Sequence, residues 1–294
     1  MRVMRYLVAL LVLAGAGVAA YWYFFASGEQ LRYNVKPGQV YTYKYAVNAD
    51  GTIASQGMPT PVPLSISGTV VSRLKVLGVK PDGTFTANWR LVSVSSRATA
   101  MGIKQQMPID AGEAAKGGLT LTVKPNGEFA APLASSANLG ILGDVASAKT
   151  LGGVLGLGAS YPSHPVRVGR SWKGDPGSIA AALTRQGGVK PQDLSVEQSY
   201  RLAKVEDMGG RKVATIEGRT TITHKGGEDG KGGAKVRALQ RVRVFLDTGM
   251  PASGTSSGNV QVSAAGGQGD ISLKLSGTLS RVAAAAPKKA SARR

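Results

Sequence analysis

The strongest constraint on this chain is a strict alternation of apolar and polar residues, interrupted by tight-turn residues. From Val40 to Val47, Tyr41, Tyr43, Tyr45 and Val47 fall on one side, and Thr42, Lys44 and Ala46 on the other. Successive side chains of an extended strand point to opposite faces, so this run predicts a half-buried strand rather than a helix. Pro37-Gly38 precedes it as a turn, and Asp50-Gly51 is read as the turn that follows. The stretch around Pro59, Pro61 and Pro63 lacks the amide donors of a central strand and is read as a connection or an edge.

Leu64 to Val79, Pro81-Asp82-Gly83 and Thr84 to Ala100 form the clearest hairpin, with Phe85, Ala87, Trp89 and Leu91 on one face. Leu119 to Val123 and Glu128 to Ala131, joined by Pro125-Asn126-Gly127, form a smaller one. Further strands are predicted at Val196–Val205, Lys212–Thr223, Val236–Leu246, Val260–Ser263 and Ile271–Val282, with Gly226 to Gly233 as a loop. Short polar turns imply antiparallel pairing, because parallel strands need long crossovers. The small apolar residues from Ser135 to Gly158 approach helical spacing and predict a small helical insertion. Another short helix is predicted at Ile179–Arg185. The expected fold is therefore mainly β: an antiparallel curved sheet or half-barrel with a helical insertion, preceded by a membrane-spanning helix.

That helix is read from Tyr6 to Phe25, twenty residues without a charge behind the basic head Met1 to Arg5. At about 1.5 Å per residue the run is as long as a hydrocarbon core is thick. The aromatics Tyr21 to Phe25 suit an outer headgroup belt, whereas the small residues Val18-Ala19-Ala20 offer a cleavage site after Ala20. Residues 1–28 are thus expected to be a signal-anchor, 29–282 one extracytoplasmic domain, and 283–294 a disordered basic tail. The expected location is the inner membrane facing the periplasm, or secretion if the segment is cleaved.

Composition narrows the chemistry. The 294 residues include no cysteine, which excludes disulfide frameworks, thiolate zinc sites, iron–sulfur clusters, cysteine nucleophiles and a lipoprotein acyl anchor. The net charge of +19 is spread along the body, often alternating with apolar residues as at Arg237, Arg241 and Arg243. Such a surface is read either as serving solubility or as attracting anionic lipid, lipopolysaccharide or acidic glycan. Nucleic acid is not expected as a partner, because no aromatic-studded basic stripe is present.

Val35-Lys36-Pro37-Gly38-Gln39-Val40-Tyr41-Thr42-Tyr43-Lys44-Tyr45, with the long hairpin after it, resembles the opening of an uncharacterised family of secreted bacterial β-rich proteins. Leu121 to Glu128, Pro165 to Trp172 and Phe245 to Pro251 resemble the same family. The opening is also similar, more weakly, to the first strands of vitellogenin-type lipid-binding domains. The first resemblance implies an extracytoplasmic all-β body and no particular activity. The second implies apolar cargo, although the helical horseshoe of that group has no counterpart here.

Candidate sites are few. His164 and His224 are the only histidines, too few for a three-histidine zinc site, and no GxSxG nucleophile elbow or phosphate-cradling loop occurs. No catalytic residue, metal or cofactor is therefore expected. Tyr41, Tyr43, Tyr45, Trp89 and Trp172 are read either as plain core or as the lining of an apolar cavity, with Leu142 and Leu155 of the insertion closing it. The expected role is non-enzymatic: an envelope protein binding a lipid or other amphiphile between sheet and insertion. A structural or protein-partner scaffold is the main alternative, and a hydrolase a remote one.

Overall fold

The computed structural model describes residues 28–55, 60–106, 117–130, 161–177, 180, 190–226, 232–263 and 269–282. They form one antiparallel sheet of eleven strands. In chain order these are β1 (Val40–Ser55), β2 (Val62–Val79), β3 (Phe85–Ala100), β4 (Ile103–Gln106), β5 (Leu119–Val123), β6 (Ser171–Lys173), β7 (Leu194–Asp207), β8 (Lys212–Lys225), β9 (Gly233–Phe245), β10 (Pro251–Ser263) and β11 (Gly269–Val282). The spatial order is β4-β3-β2-β1-β11-β10-β9-β8-β7-β6, with β5 on the near half of β3. Two meanders, β1–β3 and β7–β11, are joined where the first strand pairs with the last, Tyr45 opposite Leu279 and Ile53 opposite Ile271.

The expectation of a sheet combined with helices is corrected. Among the described residues helix is limited to a 3-10 turn at Pro191–Asp193 and one helical turn, where the Ala180 amide donates to the Pro176 carbonyl at 3.0 Å. No helix among them is long and apolar enough to cross a membrane. The span read at 1–28 falls, up to residue 27, outside the described residues, and so do the insertion at 135–158, nearly all of 179–185 and the tail from 283. From Glu29 onward the chain is already tied to the sheet domain, by a bridge from Glu29 to Val166.

The core lies at one end of the strands. Leu74, Val76, Phe85, Leu121, Val123 and Leu202 are fully buried there, with Tyr43 and Trp89 at 1–2% exposure. Two irregular segments close the gap between the sheet's free edges at this end. The Tyr33 amide donates to the Pro125 carbonyl at 2.7 Å, the Tyr161 amide to Asn126 at 2.9 Å, and the Gly169 amide to Leu202 at 2.7 Å. The Tyr33 and Tyr161 rings meet at 4.9 Å, and the Tyr161 hydroxyl donates to the Gly249 carbonyl at 2.6 Å. Gly249 has φ +67°, and a Cβ there would collide with the Arg32 carbonyl, so the Asp247-Thr248-Gly249 turn requires glycine to grip the N-terminal segment. Arg211 braces the same turn, with two bonds to Asp247 at 2.7 and 2.9 Å and its guanidinium 3.7 Å from the Phe245 ring centre. This pairing holds the Asp247 carboxyl below its ordinary pKa.

Two turn expectations resolve differently. Pro63 does join β2, exposed, at a level where β2 has β1 on one side only. Asp50-Gly51 is not a turn: β1 runs straight through it, and the position requires glycine because a Cβ there would collide with the Ser272 carbonyl of β11.

The fully buried side chains are concentrated at the core end of the strands, which locates the stabilising energy. Leu74→Ala should destabilise the protein by about 2–5 kcal/mol, as for buried leucines elsewhere. Leu64→Ala, on the half-buried far part of the same strand, should cost less than half as much in urea unfolding. Equal losses would mean that the far half is as tightly packed as the core.

Candidate functional site

Apart from a few bulged positions, the registers sort the paired strand residues onto one of two faces. Counting away from the core, the inner face first carries Tyr45, Leu279, Gly254, Val242, Ile216 and Leu202, from β1 to β7. The next row is polar and glycine-rich: Ser96, Gly68, Val47, Gly277, Ser256, Gln240, then Gly218 and Tyr200. Two of its glycines make room for tyrosines. A Cβ on Gly218 would lie 2.9 Å from Tyr200 Cε1, and one on Gly277 would lie 2.8 Å from the Tyr45 hydroxyl. Tyr200 therefore folds over Gly218, where Gln240 hydrogen-bonds it, and Tyr45 folds over Gly277 to meet Ser256 Oγ at 3.4 Å. Gln198 Nε2 donates to Thr220 Oγ1 at 3.5 Å just beyond. This is an uncharged polar belt across the inside of the sheet.

Beyond the belt the inner face becomes aliphatic. One row carries Leu64 on β2, Gly51 on β1, Leu273 on β11, Val260 on β10, Val236 on β9, Ile222 on β8 and Val196 on β7. Before it lie Ile66, Ala49, Leu275, Gly258, Ala238 and Thr220, and after it Val62, Ile53, Ile271, Val262, Ala234 and His224. None of these residues is an Asp, Glu, Lys or Arg, and nearly all are half-buried. Six strand spacings of about 4.8 Å by four residues of about 3.4 Å give a mainly apolar footprint of about 400 Å², comparable in scale to patches that are often functional. Among the described residues no second layer covers it. The opposite face at the same level carries Ser65, Asp50, Lys274, Asn259, Arg237 and Glu197, all exposed.

The residues singled out from the sequence divide among these zones. Tyr41, Tyr43 and Trp89 lie in the packed core, Tyr43 donating to the Pro251 carbonyl at 3.3 Å. The space enclosed between Tyr33, Tyr161, Tyr200 and Ile216 is about 10 Å³, no room for a ligand. The Trp89 indole N–H is buried without a hydrogen-bond partner among the described residues. Trp172 is half-buried on β6, its ring 5.6 Å from that of Tyr200. Tyr45 alone reaches the polar belt from the core side. Leu142 and Leu155 lie outside the described residues. His164 is exposed near the closed end and His224 faces inward at the far end, so the two stand apart. Among the described residues no three His, Asp or Glu come together in a way that could hold a metal ion. Sequence reasoning missed the aliphatic rows. Their residues look like any strand interior, and only the pairing reveals that one face continues past the core.

No protein-family model matches this chain, and no curated protein matches it. Solved structures similar to it include lipovitellin, described for its lipid–protein interactions, at 11% identity and TM-score 0.49 over 87% of this chain. The chain spans only 26% of the lipovitellin chain. An outer membrane channel from Pseudomonas putida is similar at 8% identity and TM-score 0.27, over 85% of this chain and 97% of that one. A DUF1329 family protein from Desulfovibrio piger is similar at 12% identity and TM-score 0.13, over 85% of this chain and 88% of that one.

Burial pushes the hydroxyl pKa of Tyr33, Tyr43, Tyr161 and Tyr200 well above the ordinary tyrosine value. A pKa raised in the folded state contributes stability that is complete below about pH 10 and is lost as the pH climbs beyond it. In an alkaline titration followed at 295 nm, these tyrosinates should therefore form only as the far-ultraviolet β signal collapses. Ionisation of all nine tyrosines near pH 10 with the β signal intact would contradict the packing described.

Proposed function

We propose that the protein is a non-enzymatic carrier or receptor of an amphiphile, acting in the cell envelope outside the cytoplasm. One observation carries this reading: aliphatic rows on the inner face cross seven strands beyond the packed core, uncharged and with no described layer over them. Burying an aliphatic chain there releases water from both surfaces at about 25 cal/mol per Å². The rows contain no Phe, Tyr, Trp, arginine or methionine, the anchors that enrich protein–protein interfaces, which favours a hydrocarbon occupant over a protein one. The belt of Tyr45, Ser256, Gln240 and Tyr200 would face the polar part of the molecule. It is uncharged, so it suits hydroxyl, ester or amide groups better than a naked phosphate, whose desolvation an uncharged belt does not offset.

Binding of an apolar fluorescent probe such as N-phenyl-1-naphthylamine, and its displacement by a monoacylglycerol, tests the reading. Leu273→Asp places a charge among the aliphatic rows and should weaken probe binding by about tenfold or more. Lys274→Asp, one residue on but on the opposite face, should leave binding within about twofold. Both variants are checked for an unchanged β spectrum. A probe that fails to bind, or that binds both folded variants equally, overturns the assignment.

A further inference from the structure

The opposite face of the same sheet is not simply solvated. Across β7–β11 it is hollowed into two open troughs of about 620 and 870 Å³, continuous through the shared residues Arg219, Leu239 and Ser257. Six cations line them, Arg201, Arg219, Lys235, Arg237, Arg241 and Lys274, against two carboxylates, Glu197 and Glu217. Glu217 is held by Arg241 at 2.7 Å. Arg219, Lys235, Arg237 and Lys274 have no ion-pair partner among the described residues. Between the cations stand hydroxyls and amides: Thr221, Thr223, Ser257 and Asn259.

We propose that this trough binds an anionic glycan chain, its acidic groups meeting Arg219, Arg237 and Lys274 and its sugar hydroxyls meeting the Ser, Thr and Asn side chains. The registers place Thr221, Arg237, Asn259 and Lys274 side by side on adjacent strands, cation and neutral hydrogen-bonding group in turn. A linear polymer with charges separated by neutral hydroxyl-bearing stretches matches that alternation. The exposed cations line an open trough, so a chain lying along it can meet several of them at once. No aromatic side chain of this face lines the trough to stack an unpaired base, which disfavours single-stranded nucleic acid. Leu239, 52% exposed at the junction, offers an apolar contact for the C–H face of a sugar ring. The site lies on the other side of the sheet from the amphiphile rows and does not depend on them.

The test uses the full chain and a labelled hyaluronan oligomer, in which uronates alternate with neutral sugars, followed by fluorescence anisotropy at low salt. Binding should weaken steeply as salt rises, and Arg219→Gln with Arg237→Gln should reduce affinity by about tenfold or more. Neutralising two exposed cations outside the trough, Lys75→Gln with Lys80→Gln, controls for the overall charge and should leave affinity within about twofold. Leu273→Asp should also leave it unchanged. Equal weakening by both charge pairs means diffuse attraction and overturns the proposal. So does failure to bind the oligomer at low salt. Tighter binding of single-stranded DNA or of phosphatidylglycerol vesicles, sensitive to the same pair, assigns the trough to another polyanion and overturns the glycan reading.

Discussion

The antiparallel ladder between the first strand and the last is the interaction on which the rest of the structure depends. Pairing Tyr45 with Leu279 and Ile53 with Ile271 joins residues more than two hundred positions apart, and it runs almost the whole length of both strands. A contact so distant along the chain carries a loop-closure cost that local hairpins avoid. It has one consequence that no local contact could produce. It aligns the pleats of two independent meanders, so the inward residues of β1–β3 and those of β7–β11 share one continuous face. A slip of a single residue would turn one meander's apolar set outward.

At the closed end this common face is filled. The segments around Tyr33 and Tyr161 span the gap between the free edges, and the Asp247-Thr248-Gly249 turn holds them through Gly249 and the Arg211 brace. Further along the strands no such segment is described and the same face opens. Between the two regimes lies the polar belt, where tyrosines fold over glycines and bring hydroxyls to the inside of an otherwise aliphatic wall. One sheet thus carries two surfaces of unlike chemistry back to back: uncharged and aliphatic inside, basic and hydroxyl-rich outside.

Much of the sheet was legible in the primary structure, because alternation reports strand direction locally. The Tyr41–Val47 stripe, the Phe85–Leu91 stripe and Ile271–Val282 all read correctly on that basis. Where small residues hide the alternation, reading failed. Pro251 to Asn259 is rich in Ser, Gly and Thr and resembles a loop, yet it forms the first two-thirds of β10, whose inner positions Gly254 and Gly258 pack against neighbouring backbone. Gly51 looked like a turn because an Asp-Gly pair in isolation favours one, whereas its reason for being glycine is the backbone across from it. The site was less legible than the fold. Large aromatics draw attention as ligand contacts, but Tyr41, Tyr43 and Trp89 fill the core, while the distinctive surface is built from ordinary leucines, valines and isoleucines.

The amino-acid order by itself determined that this chain forms strands, which residues within each strand share a side, and that most strands meet their sequence neighbours in hairpins. Those are properties of a few consecutive residues and of backbone sterics. Which side faces the core, where the core stops, and which cations share a hollow were decided only by tertiary structure. Leu273 and Leu279 have the same local pattern and the same parity on β11. One is half exposed and the other buried because of what β1, β10 and the closing segments place opposite them, and such partners are fixed by long-range pairing rather than by neighbours along the chain.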